Sequence, residues 1–137
     1  MDLEMRPIAA EEFESWMRAD ARAFGSPVNE ATLSLYGSRH ELDRSLAVFD
    51  GGEIIACAHA SSWRMTVPGG SLPTAGVSTV SVQPTHRRRG FLTRMMDRQL
   101  RDAHNREEPL AALWSAESII YGRFGYGNGS FHERWTI

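Results

Sequence analysis

The sequence has no lysine, a single cysteine and no long apolar run. A single cysteine excludes a disulfide framework within the chain, and the apolar neighbours of Cys57 predict a buried structural thiol rather than an accessible, electropositive nucleophile. No stretch approaches the roughly 18–20 apolar residues that a membrane span needs, and no basic segment followed by an apolar one opens the chain. We therefore expect a cytoplasmic protein with no membrane partner.

The basic residues that are present concentrate in one segment. All fifteen are arginine, and seven of them fall between residues 87 and 106. The formal net charge is nevertheless −2, which argues against a general nucleic-acid binder. Overall neutrality with one basic block predicts a local anion site and no nucleic-acid partner.

Length and hydrophobic patterning predict one globular domain over residues 1–137. A chain of this size buries roughly 68% of its unfolded surface, enough for an ordinary core. The periodic segments give the order β-α-α-β-β-β-α-β-α-β, a mixed α/β (α+β) plan. The predicted strands are Leu3–Ile8, Ser45–Phe49, Glu53–Val67, Val77–Val82, Leu110–Ala116 and Ser130–Ile137; the predicted helices are Glu11–Phe24, Glu30–Leu42, one from Phe91 onward, and Glu117–Phe124.

The turn between Val82 and Phe91 has the composition of an anion site. It precedes a helix, and unpaired amides together with the positive end of the helix dipole attract anions there. Gly90 lets the backbone approach a ligand, and the three preceding arginines supply further donors. The glycine patterns of nucleoside-triphosphate and dinucleotide sites are absent. These residues by themselves predict either a phosphate site or a solvated surface turn.

The run Val80-Ser81-Val82-Gln83-Pro84-Thr85-His86-Arg87-Arg88-Arg89-Gly90 resembles the core motif of the GCN5-related N-acetyltransferase (GNAT) superfamily. That signature reads Arg/Gln-x-x-Gly-x-Gly/Ala after a V-x-V strand, and Leu92 departs from its last position. With a hydrophobic residue at this position, the motif resembles that of the N-terminal acetyltransferase domain of the enhanced intracellular survival (Eis) family. Further segments resemble that family at Thr66–Gly69, Leu72–Val77 and Ile120–Gly127.

This resemblance implies the GNAT fold, a mixed central sheet flanked by helices, either with or without the last strand of the family's sheet. It also implies acetyl-CoA as co-substrate, with no metal. The main chain of Val80 and Val82 would hold the pantetheine. The pyrophosphate would be held by Arg87, Arg88, Arg89, Gly90 and Phe91.

The resemblance also implies transfer of an acetyl group to a primary amine by direct attack, with Tyr121 as general acid. A thiol titrates near 8.5 and a tyrosine near 10, so a tyrosine is protonated at neutral pH and can donate to a departing thiolate. Tyr126 is the alternative acid. The base stays open among Glu117, His59 and His86. The acceptor, an aminoglycoside-like or lysine-like amine, would lie against Trp16, Phe24 and Tyr36 on the first two helices.

Three classes of function remain open from the sequence. The first is an N-acetyltransferase, and the second is a non-catalytic acyl-CoA-binding or assembly module with the same fold. The third is an anion or nucleic-acid binder that uses the arginine block. The predicted last strand, Ser130–Ile137, would leave an unpaired edge, and such edges invite pairing with another chain. We therefore also expect a homo-oligomer.

Overall fold

The computed structural model describes residues 3–136, which form one five-stranded sheet with helices on both faces. The strands lie side by side in chain order; the first four are antiparallel, and the fifth is parallel to the fourth. The strands are β1 (Leu3–Pro7), β2 (Ser45–Asp50), β3 (Glu53–Val67), β4 (Gly70–Val82) and β5 (Leu110–Leu113), and the helices are α1 (Phe13–Phe24), α2 (Glu30–Gly37) and α3 (Phe91–Asn105).

Helix α1 covers one face of the sheet and α3 covers the other. The α1 face is packed around Trp16, Phe49, Ile54 and Cys57, and the α3 face around Val48, Ile55, Met95 and neighbouring small residues. Cys57 is fully buried, and burial raises the pKa of its thiol well above the usual value. The predicted burial of this thiol is confirmed.

The helix ends follow local chemistry. Gly25 closes α1 in the left-handed conformation, with φ of 67°, and its amide donates to the last-turn carbonyls. Asn29 caps α2, since its side chain accepts from the Thr32 amide at 2.8 Å. The predicted extension of α2 to Leu42 is wrong: the helix ends at Gly37, and residues 42–44 form a separate 3₁₀ turn. None of the described helices, all within residues 3–136, is long and apolar enough to cross a membrane.

Strand β4 carries a bulge that the sequence prediction missed. Cys57 pairs with Ser81 and His59 pairs with Ser78, so β4 has one more residue than β3 in this interval. Thr79 takes up the extra length with a positive φ of 53°, which is rare for a β-branched residue. An unbroken strand would place Val77 and Val80 on opposite faces, but with the bulge both contact the cluster on the α3 face.

The C-terminal part has less regular structure than predicted. Strand β5 ends at Leu113 instead of Ala116, and the predicted helix Glu117–Phe124 consists of two short 3₁₀ turns. Residues 130–136 form no strand, so that prediction is wrong over the described part; Ile137 lies outside the described residues. A strand needs a hydrogen-bonding neighbour, and no described strand lies beside this segment. The edge on which we based self-association is therefore not formed here.

Candidate active site

The sheet opens between β4 and β5. The two strands pair only from Thr74–Leu110 to Val77–Leu113, whereas β4 continues to Val82. Within residues 3–136, residues 78–82 of β4 have no partner strand on the β5 side. This opening contains Val80 and Val82, which were predicted from sequence, and the bulge at Thr79. Main-chain groups that point away from β3 are thus available to a ligand lying in the opening.

The arginine turn continues directly from the open segment of β4 to the first turn of α3. A 3₁₀ turn at Pro84–His86 leads into it, and the Gln83 side chain fixes it to α1 by donating to the Ala19 carbonyl at 2.6 Å. Arg88 and Gly90 both adopt positive φ, 63° and 81°. No side chain caps the helix, so its first amides point into the turn, as an anion site requires.

The predicted pyrophosphate residues lie together in this turn. Arg87, Arg88, Arg89 and Gly90 are exposed, whereas Phe91 is buried at 3% exposure. The Arg87 side chain donates to the Val82 carbonyl at 3.3 Å, and the Arg89 guanidinium lies 5.5 Å from the centre of the Phe91 ring. Phe91 can therefore contribute its amide and hold the turn in place, while its ring belongs to the core.

Leu92, the departure from the superfamily signature, has a structural explanation. Its side chain packs against the cluster of Ala60, Val77 and Met96. It therefore points toward the sheet rather than into the turn, and a large residue fits there without blocking the helix amides.

Two tyrosines approach the opening from the α3 side. Tyr121 and Tyr126 pack against the same cluster as Val80 and Leu113, with their ring centres 6.0 Å apart. Burial, with the Glu117 carboxylate as a lesser cause, raises the pKa of Tyr121 above its usual value. Burial, with Tyr121 as a lesser cause, raises the pKa of Tyr126 to about 12. Both are proton donors at neutral pH, but the Tyr126 hydroxyl is buried without a hydrogen-bond partner among the described residues.

The aromatic residues predicted for the acceptor have different environments. Phe24 and Tyr36 are exposed, at 58% and 48%. Trp16 has no exposed surface, and its indole donates to the Leu46 carbonyl at 2.8 Å. The expectation for Trp16 is therefore corrected: it is a core residue, because its amphipathic position on α1 faces the sheet.

Trp63, which the sequence analysis did not single out, lies on the α1 face of the sheet, in alternation with Cys57. Its indole lies flat over Gly76, where any Cβ would overlap the ring. The indole is half-exposed, and Gly76 beneath it lies two residues before the unpaired segment of β4. The glycine was the available signal, because glycine in the interior of a strand marks a close approach by another group.

A buried polar cluster lies on the same face. His59 is 2% exposed, and its ring nitrogens contact the hydroxyls of Ser45 and Ser61 at 2.9 and 3.0 Å. His40 stacks on His59 with ring centres 3.9 Å apart. Burial and the neighbouring His40 lower the pKa of His59 to about 4. For Glu41, burial alone would raise the pKa, but the hydrogen bonds from Ser62 outweigh it and the pKa lies below its usual value.

Arg44 connects this cluster to the loop before β5. Its side chain is fully buried and donates to both carboxylate oxygens of Glu108 at 2.7 Å, and also to the Ser62 hydroxyl at 2.9 Å. Two segments far apart in sequence are thus fixed to one another near the start of β5.

A cavity of about 490 Å³ lies elsewhere, at the β1–β2 edge. Arg6 and Glu12, paired at 2.7 Å, line it together with Phe49. Neither the bulge, the arginine turn nor the tyrosine pair borders it, so its size does not make it the active site.

Comparisons with known proteins agree with this arrangement. The family model described as "Acetyltransferase (GNAT) domain" matches residues 4–129. An uncharacterized N-acetyltransferase of Streptomyces avermitilis is 47% identical over 133 residues, which cover 95% of this chain and 32% of the relative. The crystal structure of Eis1 from Mycobacterium abscessus superposes with a TM-score of 0.81 at 38% identity, covering 90% of this chain and 31% of that one.

A more distant structure shares the fold alone. It is AAC(6')-Iy in complex with the bisubstrate analogue CoA-S-monomethyl-acetylneamine, with a TM-score of 0.77 at 19% identity, covering 100% of this chain and 99% of that one. The curated Streptomyces relative, by contrast, is about three times as long as the matched region. The family match covers most of the chain, and the splayed sheet with its arginine turn agrees with it. The chain therefore belongs to the GNAT acetyltransferase family and has that family's α/β fold.

Proposed function

We propose that this chain transfers an acetyl group from acetyl-CoA to a primary amine, on an aminoglycoside-like molecule or a lysine side chain. The observation that carries the proposal is one continuous path. The unpaired segment of β4 leads into an uncapped helix N-terminus lined by three arginines, and Tyr121 packs beside Val80 on that path.

The two ends of the path suit the two ends of acetyl-CoA. The amides at the start of α3, with Arg87, Arg88 and Arg89, match a pyrophosphate. The main chain of Val80 and Val82 offers hydrogen bonds of strand geometry to the pantetheine amides. No metal is needed for this binding.

Tyr121 is the general acid in this mechanism. Acetyl-CoA supplies the acyl group as a thioester. The main-chain amide of Val80, turned by the bulge at Thr79, is suited to polarise the thioester oxygen. Tyr121 donates its hydroxyl proton to the departing sulfur as the carbon–sulfur bond breaks and the carbon–nitrogen bond forms, and the proton that the new amide nitrogen loses replaces it through solvent.

The acceptor amine fits the α1 face. Trp63 offers an indole face for a cation, and Phe24 and Tyr36 are exposed on the helices of that side. The AAC(6')-Iy complex supports this class of acceptor, because a protein of the same fold binds an analogue that joins CoA to an aminoglycoside. We place this activity in the cytoplasm.

A non-catalytic role in acyl-CoA binding or assembly is the second candidate. Four large apolar side chains of the C-terminal part are strongly exposed: Trp114, Ile119, Phe131 and Trp135. Such a surface is typical of a segment that packs against another chain or segment, and it also supports our prediction of self-association. A monodisperse monomer in sedimentation at high concentration would contradict self-association.

Release of free thiol from acetyl-CoA, measured with an aminoglycoside and with a lysine peptide, tests the proposal. We expect Tyr121→Phe to lower kcat by about 10²-fold or more, as for loss of a general acid, without changing the acetyl-CoA KM. Tyr126→Phe is the matched control and should keep full activity, because its hydroxyl has no partner to lose. No thiol release by the wild type above background would leave only the binding role.

A further inference from the structure

The hydrogen bonds around His59 fix which of its ring nitrogens carries the proton. The Ser45 hydroxyl has a single proton, and it donates that proton to the Glu41 carbonyl at 2.9 Å. Ser45 Oγ must therefore accept from Nδ1–H of His59, 2.9 Å away. A neutral His59 then has a bare Nε2, and that nitrogen accepts the proton of the Ser61 hydroxyl at 3.0 Å.

Ser61 is the outer end of this series of hydrogen bonds. It is partly exposed on the acceptor side, whereas Ser45 and His59 are buried. Ser61 pairs with Gly76, the residue under the Trp63 indole, and His59 pairs with Ser78, next to the Thr79 bulge. The Ser61 oxygen thus lies between the aromatic face suited to an ammonium group and the strand position suited to the thioester.

We propose that Ser61 and His59 form a proton relay that deprotonates the acceptor amine during acetyl transfer. The relay rests on the proposed function and supplies the base that the sequence left open. Before the nitrogen attacks, one N–H bond of the acceptor ammonium group breaks and its proton moves to Ser61 Oγ, while the Ser61 proton moves to His59 Nε2. The result is a cationic His59 and a reformed serine hydroxyl; the His59 proton returns to solvent after product release. Ser61 contacts the substrate, and His59 acts through it.

Charged groups around His59 allow this cycle. His40, Glu41 and Arg44 face it from the α2–β2 connection, and α1 contributes the uncharged edge of Trp16 at 6.3 Å between ring centres. Burial, His40 and Arg44 oppose a resident proton, whereas Glu41 favours one. His59 therefore keeps its lone pair at neutral pH and has one nearby carboxylate to stabilise the transient cation.

The test compares Ser61→Ala and His59→Gln with the wild type between pH 6 and pH 10. Ser71→Ala, in the exposed hairpin, is the matched control. We expect kcat at pH 7 to fall by about 10²-fold in both relay variants with an unchanged acetyl-CoA KM. The deficit should shrink as the pH passes the pKa of the amine itself, because the acceptor then arrives deprotonated.

A purely structural role for His59 predicts a different result, namely a deficit of the same factor at every pH. That outcome, or activity within twofold of the wild type at pH 7, would overturn the relay. Because His59 is buried, Ser61→Ala decides the test if His59→Gln fails to fold. A wild type that binds acetyl-CoA but acetylates no amine would overturn the proposed function, and the relay with it; an active wild type with unaffected variants overturns the relay alone.

Discussion

The two faces of strands β3 and β4 are built by different means. On the α3 face, small and apolar side chains surround the opening, and the groups suited to bind acetyl-CoA belong mainly to the main chain. On the α1 face, the buried side chains of His59 and Ser45 form a hydrogen-bonded cluster with the Ser61 hydroxyl.

This difference predicts how each face responds to mutation. A site made of main-chain groups depends on backbone conformation and tolerates side-chain exchange. A site made of buried polar side chains is sensitive to single atoms and to pH, because each buried group needs its partner. Specificity for the acceptor should therefore depend on the α1 face.

The largest effect should come from Arg44→Met. The substitution leaves the Glu108 carboxylate, which is 6% exposed, without its bidentate partner. Breaking a buried pair in this way costs about 3–5 kcal/mol. Chemical denaturation measures the loss, with Arg101→Ala, in an exposed pair on α3, as a control that should cost under about 1 kcal/mol. Equal costs for the two variants would contradict the assignment of Arg44 as a buried connection.

The next effect is a dependence of stability on pH. His59 has a pKa of about 4 in the folded chain against an ordinary 6.5, so the unfolded chain binds a proton first as the pH falls. Stability is therefore fully present above pH 6.5 and is lost as the pH falls from 6.5 toward 4, by at most about 3 kcal/mol. The burial-lowered pKa of His40 acts in the same direction.

Urea unfolding of the wild type and of His59→Gln at several pH values isolates the contribution of His59 to the pH dependence of stability. The carboxylates are common to both proteins, so their titration cancels from the difference. A pH slope that is the same in the two proteins would contradict the burial of a neutral His59.

A smaller effect is expected at Gly90, on the main-chain side. Valine cannot readily adopt its φ of 81°, so Gly90→Val should shift the turn and weaken acetyl-CoA binding by about tenfold, or about 1.4 kcal/mol. Calorimetric titration measures it, with Gly70→Ala as the control, because Gly70 has no positive φ and has open space around it. Unchanged affinity for Gly90→Val would remove the turn from the binding site.

The smallest effect concerns Trp63. Loss of a cation–π contact costs about 1 kcal/mol, so Trp63→Ala should raise the acceptor KM by about fivefold and leave the acetyl-CoA KM unchanged. Steady-state kinetics with both substrates varied separates the two constants. A change in the acetyl-CoA KM alone would contradict the placement of Trp63 at the acceptor site.

The sequence predicted the α3 face and the arginine turn better than the α1 face. Regular periodicity located α1, α3 and β3, and the arginine motif located the turn, because these features are local in sequence. The strand predicted over Val77–Val82 is longer than expected, because β4 begins at Gly70 and pairs with β3 along its length. The bulge at Thr79 was missed because a threonine gives no sign of positive φ. The contacts of His59 with Ser45 and of Arg44 with Glu108 join residues 14 and 64 positions apart, and periodicity carries no information about such contacts.

The C-terminal part was predicted least well for a related reason. Ser130–Ile137 alternates like a strand, but alternation shows only that a segment can pair, and no described strand lies beside residues 130–136. Trp16 was misassigned because the pattern of an amphipathic helix does not distinguish a ligand-lining aromatic from a core one.

The central claim is that one path from β4 to α3 holds acetyl-CoA, with Tyr121 at its reactive end. A crystal structure of the chain with a non-hydrolysable acetyl-CoA analogue tests this claim most directly. We predict the pyrophosphate against the amides at the start of α3, the acyl carbonyl at the Thr79 bulge and the sulfur facing the Tyr121 hydroxyl. An analogue bound outside the β4–β5 opening, or with its sulfur turned away from Tyr121, would contradict the account.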